Sequence, residues 1–194
     1  MAKEESKYKV IFTLVLIAML SAMLLAWVNK ITYEPIEQNK RAETRKALKL
    51  VLRGLKNVTY PKLPEEMRVD NSPVRYFKAV DADGSLRGAA FIVRAPNGFS
   101  GDFEMMVGLD SSGAVIDTYV LDHKETPGLG DGMLKEGFKK QFRGRRLSGT
   151  RWLVRKDGGD IDAITAATIT SRAFTAGVKR ALEAFARLKK EGEK

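Results

Sequence analysis

Two short stretches concentrate the residues able to do chemistry. The first, "DAITAATITSRAF", Asp162 to Phe174, packs four hydroxyl residues and four alanines into thirteen positions. A hydroxyl at the N-cap of a following helix would satisfy free backbone donors, a role that suits Thr170 or Ser171. That leaves Thr165 and Thr168 over, with the small Ala166 and Ala167 between them. A helix N-terminus attracts anions through its free N–H groups and its dipole. A phosphate held near Thr168 would gain from both, and small neighbours leave room for a bulky group attached to it.

The second stretch is "LDHKETPGLGDGM", Leu121 to Met133. Gly128, Gly130 and Gly132 would let a ligand approach the backbone, and Pro127 stiffens the turn. A long glycine-rich connection explains the same residues. A dinucleotide fingerprint is excluded, because Met133 stands where the third glycine would fall. His123, Lys124 and Glu125 read as a local hydrogen-bonded cluster, and no catalytic residue is assigned. The chain has no cysteine and one histidine. Disulfides, thiolate metal sites, cysteine-held iron–sulfur clusters and a histidine-rich metal centre are thereby excluded, and no metal ligands are assigned.

These loops need a scaffold, and 194 residues with 44% hydrophobic content allow one ordinary domain plus an extra element. Residues 1–9 carry Lys3, Lys7 and Lys9 and read as a cytoplasmic N-terminus. From Val10 to Val28 no charge interrupts the apolar run, which as a helix spans roughly 28 Å, the thickness of a bilayer core. No small-x-small cleavage site follows convincingly, so an uncleaved transmembrane anchor is expected, with Trp27 at the interface. Residues 29–72 read as a membrane-proximal helix, Glu37 to Leu55, and a proline-marked linker. Beyond it, "VRYFKAVD", "LRGAAFIVR", "DFEMMVGLD" and "AVIDTYVLD" are strand signals separated by turn residues. Four consecutive strands predict an antiparallel meander with one face packed and the other wet or covered by a helix. A shorter helix around Leu134 to Phe142 follows. A longer one from about Arg172 to Lys189 sets Phe174, Val178, Ala181, Leu182, Phe185 and Leu188 near one face. The class is α+β, with a single transmembrane helix ahead of a domain over 73–190 and a charged tail over 191–194. The net charge of +10 comes from basic residues interleaved with acidic ones. That pattern suits membrane lipid headgroups or acidic partner subunits and argues against nucleic acid.

"DAITAATITS" resembles the flavinylation motif, Asp-x-x-Ser/Thr-Gly-Ala-Thr-x-Thr/Ser, of proteins that carry FMN in phosphoester linkage to threonine. "HKETPGLGD" resembles the companion loop of the G subunit of the Rnf electron transport complex and of its relative, the C subunit of the sodium-translocating NADH:quinone reductase. The resemblance implies an FMN-binding domain with an antiparallel sheet flanked by helices, anchored in the bacterial inner membrane and facing the periplasm. It implies an electron-transfer subunit of an ion-translocating ferredoxin:NAD oxidoreductase, not catalytic alone, with the other Rnf subunits as partners. Carried across by position, Thr168 would bear the FMN phosphate. Asp162, Thr165, Ala167, Thr168 and Thr170 would form the segment recognised by the flavin transferase. Cofactor contacts would come from Glu125, Thr126, Gly128, Leu129, Thr165, Ala167 and Thr170. The family's usual glycine is Ala166 here. The alternatives are a membrane-anchored binding or assembly module without flavin, and the C subunit of the sodium-translocating enzyme.

Overall fold

A computed structural model describes residues 2–69 and 72–192. The chain divides into two compact units, Met1–Glu43 and Thr44–Lys194. The described part of the first unit is a single run of helix, the beginning of α1, Ala2–Val51. Its apolar stretch reaches a mean hydropathy of 2.6 and none of that window is buried, so the helix is long and apolar enough to cross a membrane. Within the apolar run, the Thr13 hydroxyl donates to the Lys9 carbonyl at 2.9 Å, and beyond it that of Thr32 donates to the Val28 carbonyl at 2.9 Å. That internal pairing is what a hydrocarbon environment demands. The sequence pattern starts a separate helix at Glu37, but the helix runs on through Pro35. A proline removes one i→i−4 bond, which a long helix tolerates through its other turns.

The second unit contains a five-stranded antiparallel sheet in the order β1-β2-β3-β4-β5. β2 (Ser72–Val80), β3 (Leu86–Ala95), β4 (Phe103–Asp110) and β5 (Val115–Asp122) are the four expected strands. β1, Glu65–Val69, lies in the segment read as linker. Its sequence, EEMRV, is short and mostly polar; Met67 and Val69 join the core, and cross-strand polar contacts add to them. Glu65 faces Tyr76 in register, and one Glu65 oxygen accepts from the Tyr76 hydroxyl at 2.7 Å and from Lys78 Nζ at 2.9 Å. The Lys78 ammonium, then the Tyr76 hydroxyl, hold the Glu65 carboxyl below its ordinary range.

Both faces of the sheet are covered. The last turns of α1 bring Ala47, Leu48 and Val51, with Leu52 just after them, onto Phe77, Ala79, Ala90, Ile92 and Met106. On the other face lies α3, Thr168–Gly192. Its Phe174, Val178, Ala181, Leu182, Phe185 and Leu188 are all buried, in one cluster with Phe91, Val93, Met105 and Leu109. Burial on two faces explains why "AAFIVR" in β3 reads as a continuous apolar run instead of an alternation. Between β5 and α3 come short turns: a 3₁₀ turn Gly130–Leu134, then α2 (Glu136–Lys139), then another 3₁₀ turn Lys140–Phe142. They occupy the place of the expected shorter helix. Phe138 and Phe142 stack edge-on at 5.3 Å, and both meet Phe174, tying this region to the start of α3. Asp117 on β5 is buried and paired at 2.9 Å with both Arg53 and Arg143.

Candidate functional site

The start of α3 is built by a tight turn. The Ala167 N–H donates to the Ile164 carbonyl at 3.0 Å, which closes Ile164–Ala167 into a β-turn. Its third residue, Ala166, has φ of +60°. Turns with positive φ at that position normally take glycine, because a Cβ there is strained. The motif's glycine therefore has a geometric reason, and this chain meets the same geometry with alanine.

Thr168 is the first residue of α3, so the expected N-cap role of Thr170 and Ser171 does not hold. Both lie inside the helix and their hydroxyls are engaged elsewhere. Ser171 Oγ donates to the Ala167 carbonyl and accepts from the Ile164 N–H, each at 2.9 Å. It braces the turn from behind. Thr170 Oγ1 donates to Glu125 Oε2 at 2.9 Å, and Thr175 Oγ1 to the Ser171 carbonyl at 2.8 Å. The Thr168 hydroxyl has no partner among the described residues.

Thr168 opens onto a pocket of about 270 Å³ that joins the two chemically suggestive loops. Glu125, Thr126, Leu129 and Gly130 line one side, Ala166 to Thr170 the other, and Phe99 from the β3–β4 connection completes it. Glu125 is the only charged side chain in the lining and is 4% exposed. Its second oxygen accepts from the Ser100 N–H at 3.3 Å. Two glycines make room for it: a Cβ on Gly98 would stand 2.6 Å from Glu125 Oε1, and one on Gly130 would stand 2.3 Å from Oε2. The loop after Glu125 is compact, with the Thr126 carbonyl accepting from the Leu129 N–H at 3.2 Å. No lysine or arginine lines the pocket, so an anion at Thr168 would rely on the free N–H groups and dipole of α3.

Of the residues expected to contact a cofactor, Glu125, Thr126, Leu129, Ala167 and Thr170 line this pocket together with Thr168. Gly128 and Thr165 are exposed and do not. Asp162 is also outside it, paired with Arg155 at 2.6 Å, each side chain 68% exposed. Its N–H donates to Gln141 Oε1 at 2.8 Å, and Gln141 returns a bond to its carbonyl. The grouping of His123 with its charged neighbours also differs from expectation: Nδ1 is buried and has no hydrogen-bond partner. Gly130, one of the three glycines expected to admit a ligand, lines the pocket, whereas Phe99 and Ile169 are lining residues that sequence reasoning passed over. The available signal was Phe99 itself, a large aromatic among the turn formers of "APNGFSG".

The chain matches the FMN-binding domain family over residues 98–183 and the RnfG N-terminal region over residues 2–51. The G subunit of an ion-translocating oxidoreductase complex from Shewanella loihica is 34% identical over 192 residues, covering 88% of this chain and 85% of the relative. The protein of the same name from Salmonella typhimurium is 48% identical over 92 residues, 45% of each chain. Among solved structures, the C subunit of the Na(+)-translocating NADH-quinone reductase from Parabacteroides distasonis aligns with a TM-score of 0.52 at 20% identity, covering 77% of this chain and 93% of that one. That similarity concerns the fold alone.

Proposed function

The chain belongs to the family of G subunits of ion-translocating oxidoreductase complexes, and from that premise we propose that it carries FMN in phosphoester linkage to Thr168. It is an FMN-binding subunit of such a complex, serving electron transfer. In our reading, α1 anchors it in the bacterial inner membrane, the FMN domain faces the periplasm, and the complex couples electron transfer between ferredoxin and NAD to ion transport. The other subunits supply the donor, the acceptor and the ion path.

The observation that carries the covalent reading is the contrast among hydroxyls. Those of Thr170, Ser171 and Thr175 are each committed to a hydrogen bond. Thr168 alone combines an uncommitted hydroxyl with a place both in the pocket and at the N-terminus of a long helix. A flavin transferase using FAD would form a bond between Thr168 Oγ and the FMN phosphorus as the pyrophosphate bond breaks. AMP would leave and the hydroxyl proton would be released. The phosphodiester anion left behind suits the first turn of α3. The pocket volume falls just below that of sites enclosing a drug-sized ligand, about 300 Å³ and upward, so it suits part of a cofactor. A bound flavin supplies the electron-carrying chemistry. This chain's residues hold it, and ring electronics follow from neighbouring hydrogen bonds and charge.

The test is the intact mass of the chain co-produced with a flavin transferase. The expected result is an increase equal to FMN less one water, absent from Thr168→Ala. A modified Thr168→Ala chain would overturn the assignment.

A further inference from the structure

The family motifs supply two sides of the pocket; the third comes from a loop they do not include. Phe99 lies between β3 and β4, is 67% exposed, and lines the pocket. Leu129 at 44% and Ile169 at 46% exposure come from the other two sides. Three large apolar side chains from three separate segments thus stand in water around one cavity that opens beside Thr168. Exposed apolar groups scattered singly need no explanation, but their convergence on a cavity marks a ligand surface.

The loop bearing Phe99 is held in place. The Asn97 N–H donates to Asp102 Oδ1 at 2.9 Å, and Asp102 is paired with Arg94 at 2.7 Å. On the pocket side, the Ser100 N–H donates to Glu125, whose other oxygen holds Thr170 two residues along α3 from Thr168. The buried carboxylate therefore fastens the Phe99 loop to the helix that presents the attachment hydroxyl.

We propose that Phe99 is a cofactor-contact residue, packing against the isoalloxazine ring of the flavin carried at Thr168, with Glu125 as the positioning residue that holds its loop there. The proposal rests on the covalent reading above. A planar heterocycle inserted among Phe99, Leu129 and Ile169 would cover apolar surface that water now contacts, and aromatic contact adds to that burial.

The test uses the full chain co-produced with a flavin transferase. In Phe99→Trp, an indole in van der Waals contact with the ring quenches flavin emission several-fold relative to the unsubstituted chain. Leu63→Trp, at a position 75% exposed and outside the pocket, leaves the emission unchanged. Phe99→Ala, a surface truncation that spares the fold, weakens the visible circular dichroism of the flavin. Glu125→Gln places an amide NH₂ against one of its two donors, so adding it to Phe99→Trp relieves part of the quench. Normal FMN mass with unquenched Phe99→Trp emission would overturn the contact while leaving the covalent reading intact. An unmodified mass would overturn both. Quenching unaffected by Glu125→Gln would remove Glu125 from the proposal.

Discussion

The segment from Asp160 to Ser171 has two halves that the fold treats in opposite ways. In the outer half, the partly exposed Asp160 pairs with Arg151 at 2.8 Å, the exposed Asp162 pairs with Arg155 at 2.6 Å and Thr165 is exposed, while Ile161 between the aspartates is buried. In the inner half, Ala167, Thr170 and Ser171 are buried, and Thr168 faces the pocket. The turn at Ala166 separates them. One continuous motif therefore presents two kinds of surface. The outer half presents charge and hydroxyl to solvent, and the inner half lines the pocket proposed to seat the cofactor. Under the proposed function, the transferase must reach Thr168 and the flavin must then occupy the pocket beside it, and the turn at Ala166 lies between the two kinds of surface.

The strongest challenge to this division compares one threonine from each half. Thr168→Ala is expected to abolish covalent flavin, whereas Thr165→Ala should retain most of it. Mass spectrometry of both variants made beside the same transferase decides the matter. Equal loss in the two would mean that the halves are not functionally separate.

Next in size is the buried tie of the inner half. Removing the Glu125 side chain as Glu125→Ala leaves the Thr170 hydroxyl and the Ser100 N–H without their acceptor, at a cost of about 2 kcal/mol. Thr170→Ala removes one of the same bonds, so the double variant should cost less than the two single changes added together. Denaturant unfolding of the four chains provides the cycle, and strict additivity would show that the bond contributes nothing. The outer half should respond weakly to the same treatment. Arg155→Ala breaks an ion pair whose partners are both 68% exposed, and such pairs contribute about 0.2–1 kcal/mol before salt screening. A loss above that range would show that the outer half is structural.

The boundary residue sharpens the comparison in the other direction. Ala166 sits at φ of +60°, a conformation that costs an L residue about 1–2 kcal/mol. Glycine relieves that strain but adds about 0.5–1 kcal/mol of unfolded-state entropy. Ala166→Gly should therefore stabilise the unit by about 0.5–1 kcal/mol, visible as a raised unfolding midpoint. A lower midpoint would mean that the alanine methyl makes a packing contribution outweighing the strain.

Much of this architecture was legible in the sequence because its cause is local. The face from Phe174 to Leu188 follows the helical period, and β2 to β5 announce themselves by β-branched and aromatic runs between turns. Features that depend on distant partners were not legible. β1 is mostly polar, and its two apolar residues, Met67 and Val69, find a core only once the sheet and α3 come together, while Glu65 pairs with Tyr76 and Lys78 of β2. The start of α3 was displaced because Ser171, a plausible cap by type, turns its hydroxyl back to the Ile164–Ala167 turn. Glu125, Thr126, Leu129, Ala167, Thr168 and Thr170, which line the pocket, were singled out through their motifs. Phe99 was missed because its relevance comes from chain folding, which brings a β3–β4 turn against a helix some seventy residues later.

The smallest effect concerns acid. In the outer half, the Asp160 carboxyl is held below its ordinary range by the Arg151 N–H and then by the Arg151 guanidinium. A folded-state value lower than the unfolded one means that the folded chain binds fewer protons through that interval. The contribution of Asp160 to stability is thus present above the ordinary aspartate value, near pH 4, and is lost as pH falls through the depressed value. Asp160→Asn removes the titrating group, so the midpoint of thermal unfolding should fall less steeply with acid in that variant than in the parent chain. An equally steep fall in Asp160→Asn would mean that its pairing with Arg151 contributes no acid-dependent stability.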